Sequence, residues 1–156
     1  MDDAALVKVV RQICARDKRY HPGAYFFMME ALDHTARALE KHTKAGAERH
    51  ISGAELLEGI RTFTVQQFGP MSLTVLDAWG LKTTRDFGAI VFNLVESGKL
   101  RKTDTDTIED FDGGYDFHDA FTKPFLPRTE THGRPAGRAR GRRARESGRN
   151  KKTAGE

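Results

Sequence analysis

The chain reads as a mainly α domain: about five helices, then a small C-terminal β-hairpin in winged-helix-like order, then a disordered basic tail. Three observations carry that reading. Apolar residues recur at three- and four-residue spacing in successive stretches as far as Gly98. After Gly98 the pattern turns short, acidic and turn-rich. Beyond Pro127 there is no Val, Ile, Leu, Met, Phe, Tyr or Trp at all.

The first helix spans about Ala4 to Arg16, with Leu6, Val9, Val10 and Ile13 on one face and Asp2 or Asp3 as its cap. His21-Pro22-Gly23 is read as a break. The second helix runs from about Ala24 to Lys44 on Tyr25, Met28, Met29, Leu32, Ala36 and Leu39, widened at its start by Phe26 and Phe27. Ser52 and Glu55 have capping-box spacing, in which each side chain satisfies the other's backbone N–H. They open a third helix built on Leu56, Leu57, Ile60, Phe63 and Phe68. Gly69 stops it, and Pro70 suits the first turn of a short fourth helix carrying Leu73, Leu76 and Trp79. Thr83 and Asp86 cap the fifth, whose stripe is Phe87, Ile90, Val91, Leu94 and Val95.

Leu100–Thr103 and Tyr115–Phe117 are the expected strands, with an acidic turn at 104–112 between them. Phe121, Pro124 and Phe125 are expected to anchor the end of the domain on its core. The third, fourth and fifth helices would then form a trihelical unit and residues 100–117 its wing. Such a unit would be poorly equipped to read DNA. Off its apolar stripe the fifth helix offers little that reaches base edges. The wing would set Asp104, Asp106, Glu109, Asp110 and Asp112 against phosphates.

Charge divides the chain in two. From Pro127 to Glu156 there are ten Arg and Lys against three Glu, net +7, while residues 1–126 carry sixteen Arg and Lys against nineteen Asp and Glu, net −3. Residues 1–126 are therefore taken as one folded domain and 127–156 as an arm. Such an arm buries too little apolar surface to offset its ordering entropy. Its candidate nucleic-acid-binding residues are Arg134, Arg138, Arg140, Arg142, Arg143, Arg145, Arg149, Lys151 and Lys152. Guanidinium and ammonium groups on a flexible chain contact phosphates and release counterions, which gives salt-sensitive, sequence-tolerant binding. Without aromatic residues the arm cannot stack on bases. RNA or DNA is the expected partner, and a protein partner docking on the acidic hairpin and the fifth helix is the alternative.

Other chemistry finds little support. Cys14 is the only cysteine, so neither an internal disulfide nor a cysteine-rich zinc site can form. It lies beside the apolar stripe of the first helix, where a buried inert thiol is expected. The aspartates between 104 and 119 do not follow the calcium-loop spacing. His34 and His42 are eight residues apart, too far for a two-histidine clamp on one helix. No phosphate loop or nucleophile elbow occurs. No cofactor or metal is expected, and the reading leans away from an enzyme, which would have to assemble a pocket from residues such as His21, Tyr25 and Arg61. The N-terminus lacks a secretory pattern and no stretch has the roughly 20 apolar residues of a membrane span, so a cytoplasmic protein is expected.

Several segments together carry a resemblance. They are Arg19-Tyr20-His21-Pro22 with Ala24-Tyr25 and Phe27; Ser52-Gly53 with Glu55 to Arg61; Gln67-Phe68-Gly69-Pro70; Asp86-Phe87-Gly88 with Ile90 to Glu96; Tyr115-Asp116-Phe117; and Pro124-Phe125. Over about residues 5–126 the chain resembles a family of small bacterial proteins of uncharacterised function, restricted largely to Planctomycetes and Verrucomicrobia. The resemblance implies a bacterial cytoplasmic protein and supplies no catalytic residue. His34 stands where the family tends to have an aromatic residue, and the basic arm lies outside the matching region.

Overall fold

A computed structural model of the chain describes residues 3–41, 50–101 and 106–127. The chain divides into two units, Met1–Pro124 and Phe125–Glu156. The first is helical: α1 Asp3–Arg16, α2 Pro22–Ala38, α3 Gly53–Phe68, α4 Ser72–Ala78, α5 Thr84–Glu96 and the short α6 Phe117–Phe121. Single 3-10 turns occupy Gly69–Met71, Ile108–Phe111 and Lys123–Phe125. Among the described residues there is no strand.

The apolar stripes seen in the sequence become one core. Leu6, Val10 and Ile13 of α1 share one buried cluster with Tyr25 and Met28 of α2, Leu56 and Ile60 of α3, and Phe87, Ile90 and Leu94 of α5. The α3 start has the full capping box. Ser52 Oγ accepts from Glu55 N at 3.1 Å and Glu55 Oε1 accepts from Ser52 N at 2.9 Å, an arrangement that contributes about 1 kcal/mol to a helix. Thr83 and Asp86 form the corresponding box at α5.

Two expectations are corrected. The break expected before α2 is present, since residues 17–21 are not helical, but α2 starts at Pro22 and not at Ala24: His21 is extended and its Nδ1 accepts from Gly23 N at 2.9 Å, with Pro22 at the first helical position, where its missing N–H costs nothing. The helix ends at Ala38, six residues short of the expected Lys44; residues 42–44 lie outside the described residues.

The second correction concerns the hairpin. Leu100 N and Lys99 N both donate to Leu94 O, so the chain closes α5 where the first strand was expected to start; 102–105 lie outside the described residues. Phe117, expected to end the second strand, begins α6, capped by Asp116, whose side chain accepts from Asp119 N. The decisive spacing is Phe117 to Phe121, i to i+4, which sets both rings on one helical face. Their centroids are 5.2 Å apart, and Phe117 also stacks on Phe87 at 5.4 Å. Phe121 is buried as expected, whereas Phe125 is 38% exposed.

Helices α2 and α3 approach closely because Gly59 has no side chain. A Cβ there would stand 2.8 Å from Thr35 Cβ and nearer still to Thr35 Oγ1. Thr35 is 2% exposed and its hydroxyl donates to Ala31 O at 2.7 Å, so it cannot swing away without losing that bond. Beside this crossing, Phe27 packs against Phe63, Phe68 and Trp79 with ring centroids 5.3, 5.5 and 5.4 Å away. Gly59→Ala raises intrinsic helix propensity by about 1 kcal/mol, but overpacking costs about 1–3 kcal/mol and prevails here. Urea unfolding is expected to show a lower midpoint for Gly59→Ala, with part of the loss recovered by adding Thr35→Ala.

Candidate nucleic-acid interface

All nine arm residues singled out above, Arg134, Arg138, Arg140, Arg142, Arg143, Arg145, Arg149, Lys151 and Lys152, lie outside the described residues. The fifth helix, expected to read DNA poorly and named only as part of an alternative protein-docking face, is described in full. It is a core helix: Phe87, Ile90 and Leu94 are fully buried, Ala89 is 6% exposed, and Gly88 packs under the Phe111 ring. Its start is tied down as well, since Thr84 Oγ1 donates to Phe111 O at 2.5 Å and accepts from Gly114 N at 3.0 Å. Arg85 and Glu96 are its exposed residues.

The polar residues of α5 are committed to the fold. Arg85 Nη1 bonds Asp112 at 2.8 Å, and its Nη2 lies 3.9 Å from Glu109. The Asp112 bond raises the Arg85 pKa further. Asp86 accepts from the backbone of Lys82 and Thr83 and from Tyr20 Oη at 2.5 Å. Burial pushes the Tyr20 phenol well above its ordinary value, and the Asp86 contact adds to the shift.

Asn93 makes the longest-range polar link. Its Nδ2 donates to Asp17 Oδ2 at 2.9 Å and to Tyr25 Oη at 3.0 Å. Tyr25 is fully buried, so its phenol would otherwise lack a partner in an apolar interior. Asp17 also accepts from Arg19 N, Nε and Nη2, the last at 2.7 Å. These bonds, Arg19's first and then Asn93's, hold the Asp17 carboxyl well below the usual carboxylate range against the opposing effect of burial. Asn93 was visible in the sequence only as a polar residue beside the α5 stripe.

The acidic stretch is partly used internally. Asp112 and Glu109 face Arg85, Asp110 closes a capping box with Thr107, and Asp106 lies 3.3 Å from His50 Nε2. Asp116, His118 and Asp119 are exposed, with potential ligand atoms within 4.8 Å of one another. Capping accounts for Asp116, and an ion pair with Lys123 at 3.0 Å occupies Asp119.

The three residues of a conceivable polar pocket are each engaged elsewhere. His21 caps α2, Tyr25 bonds Asn93, and Arg61 pairs with Glu58. His34 packs on Phe63 at 5.0 Å, and its Nε2 lies 3.4 Å from Thr62 Oγ1. Cys14 is half-buried, and burial raises its thiol pKa, the opposite of an activated nucleophile.

No protein-family model, curated protein or solved structure matches the chain. No helix among the described residues is long and apolar enough to cross a membrane.

The Asp17–Asn93–Tyr25 link makes two predictions. Asn93→Ala leaves a buried phenol unpaired and is expected to cost about 1–3 kcal/mol, measured by denaturant unfolding. A depressed carboxyl stabilises the fold above its unfolded pKa of about 4, and that stability is lost as pH falls towards the lower folded value. Asp17→Asn is therefore expected to lower stability at pH 7 and to narrow its difference from wild type as both are unfolded at progressively lower pH below about 4.

Proposed function

We propose that this is a non-enzymatic bacterial protein of the cytoplasm that associates with nucleic acid through its basic arm, residues 127–156. One observation carries the reading: the arm has net charge +7 while residues 1–126 have net charge −3. A cationic block on a chain without large apolar residues gains most from a polyanion, because each phosphate contact releases condensed counterions. Base stacking is no part of the proposal, since the arm lacks aromatic residues. Nor is a winged-helix mode of docking. The resemblance to the family from Planctomycetes and Verrucomicrobia supports a bacterial setting and leaves the arm as this chain's own addition.

The ion pairs of Arg85 and the contact of His50 with Asp106 reduce what the acidic stretch could offer a protein partner. They weigh against docking through that stretch and α5.

The test compares the full chain with a full-length variant in which the nine arm cations are replaced by Gln. Fluorescence anisotropy with labelled duplex DNA and with RNA is read across a salt series. Wild type is expected to bind with an affinity that falls steeply as salt rises, and the variant to bind at least about tenfold more weakly with a shallower slope. Equal affinity and slope for the two proteins would refute the arm's role.

A further inference from the structure

We propose that the exposed face of α1, with the turn that closes α5, is a second phosphate-contacting surface for the nucleic-acid backbone. The inference rests on the nucleic-acid reading above and assigns part of the binding to the folded unit.

The argument begins with spacing. Lys8, Arg11, Ala15 and Lys18 follow one another at intervals of three, four and three residues, which lines them up along one side of a helix. All four are exposed. Lys18 lies just past the last residue of α1, but its Nζ donates to Ala15 O at 3.3 Å, which folds the side chain back over the final turn. The ridge from Lys8 to Lys18 is roughly 15 Å long at helical rise. No acidic residue occurs between Ala4 and Arg16.

The fold extends this ridge. Asn93 bonds Asp17, and Arg16 Nη2 lies 3.6 Å from Glu96 Oε1, so the ends of α1 and α5 are neighbours. The chain leaving α5 turns back on its last turn through the bonds of Lys99 N and Leu100 N to Leu94 O, at 3.0 and 3.3 Å. Lys99 is thereby held against the last turn of α5, and Arg101 follows two residues on. The acids at this end are already engaged: Asp17 by Arg19 and Asn93, and Glu96 by Arg16. Among the described residues, Lys8, Arg11, Lys18, Lys99 and Arg101 have no ion-pair partner.

Unneutralised cations within one part of a unit that is acidic overall favour a polyanion. A lipid surface suits them less well. The apolar face an interfacial helix would insert consists of Leu6, Val10 and Ile13, at 5%, 2% and 0% exposure, and is spent on the core. A nucleic-acid backbone needs only charge, and duplex DNA supplies one negative charge per about 1.7 Å of its axis.

Four full-length proteins test this: wild type; a ridge variant (Lys8→Gln, Arg11→Gln, Lys18→Gln); a control with the same loss of charge elsewhere (Arg37→Gln, Lys82→Gln, Lys123→Gln); and the arm variant described above. Each is titrated with a labelled duplex DNA across a salt series, and with phosphatidylserine vesicles. Circular dichroism confirms that each is folded. The ridge variant is expected to lower the slope of log affinity against log salt by about 3, close to one unit per cation removed. The control is expected to change it by less than about one unit. If ridge and control variants behave alike, the ridge proposal is overturned, and binding lost only in the arm variant leaves the arm reading intact. If wild type binds no nucleic acid, both fall. If the ridge variant loses vesicle binding and keeps its DNA slope, the surface is a membrane contact and the proposal is wrong.

Discussion

The amide of Asn93 is the point on which the arrangement of this unit turns. A fully buried tyrosine in α2 and a carboxylate just past α1, the latter also held by Arg19, both accept from its N–H groups. A buried phenol without a partner is costly, and an Asn at this place on α5 can meet Tyr25 only if α1, α2 and α5 converge. The contact therefore sets where the ends of α1 and α5 lie, and with them the cations that α1 displays. Apolar burial supplies most of the driving force for folding. It is non-directional, and a polar link of this kind selects one packing among several of similar area.

The position of α5 follows from the same logic. Pinned near its end by Asn93 and at its start by Thr84 and the Phe111 carbonyl, it is enclosed by α2, α3 and the 108–111 turn. Its remaining charges are used to hold neighbours, as Arg85 holds Asp112. A helix so placed organises a core and leaves recognition to the periphery. Residues 1–126 carry net −3, yet that charge is not evenly spread. Acidic residues gather between 106 and 119, while unpaired cations gather along α1 and after α5. An overall sign would predict repulsion from phosphate everywhere on the unit; the proposed ridge rests on this uneven distribution.

Much of the helical layout was legible in the sequence, because helix signals are local. The Ser52–Glu55 and Thr83–Asp86 boxes, the Gly69 stop and the stripes of α1, α3 and α5 depend on residues within a turn or two of one another. The errors also had local causes. The second helix was expected two residues late because Pro22 and Gly23 break helices in their interior, yet at the first turn Pro22 supplies a preset φ and His21 caps Gly23 N. Tyr115-Asp116-Phe117 alternates in the way a strand does over three residues. The longer i to i+4 relation between Phe117 and Phe121 only gains meaning when Phe87 is there to receive the rings.

The sequence alone determined the charge division between domain and arm, the absence of a disulfide, and the main helices with their caps, since these follow from composition and short-range chemistry. Tertiary structure alone decided that Asn93 would join Asp17 to Tyr25, that Gly59 would admit Thr35, and that α5 would be a core helix. Each of those pairs residues 24 to 76 positions apart in the chain or depends on what covers a surface. Partners so distant are chosen by the packing of whole helices, and no periodicity or spacing within a single segment encodes the choice.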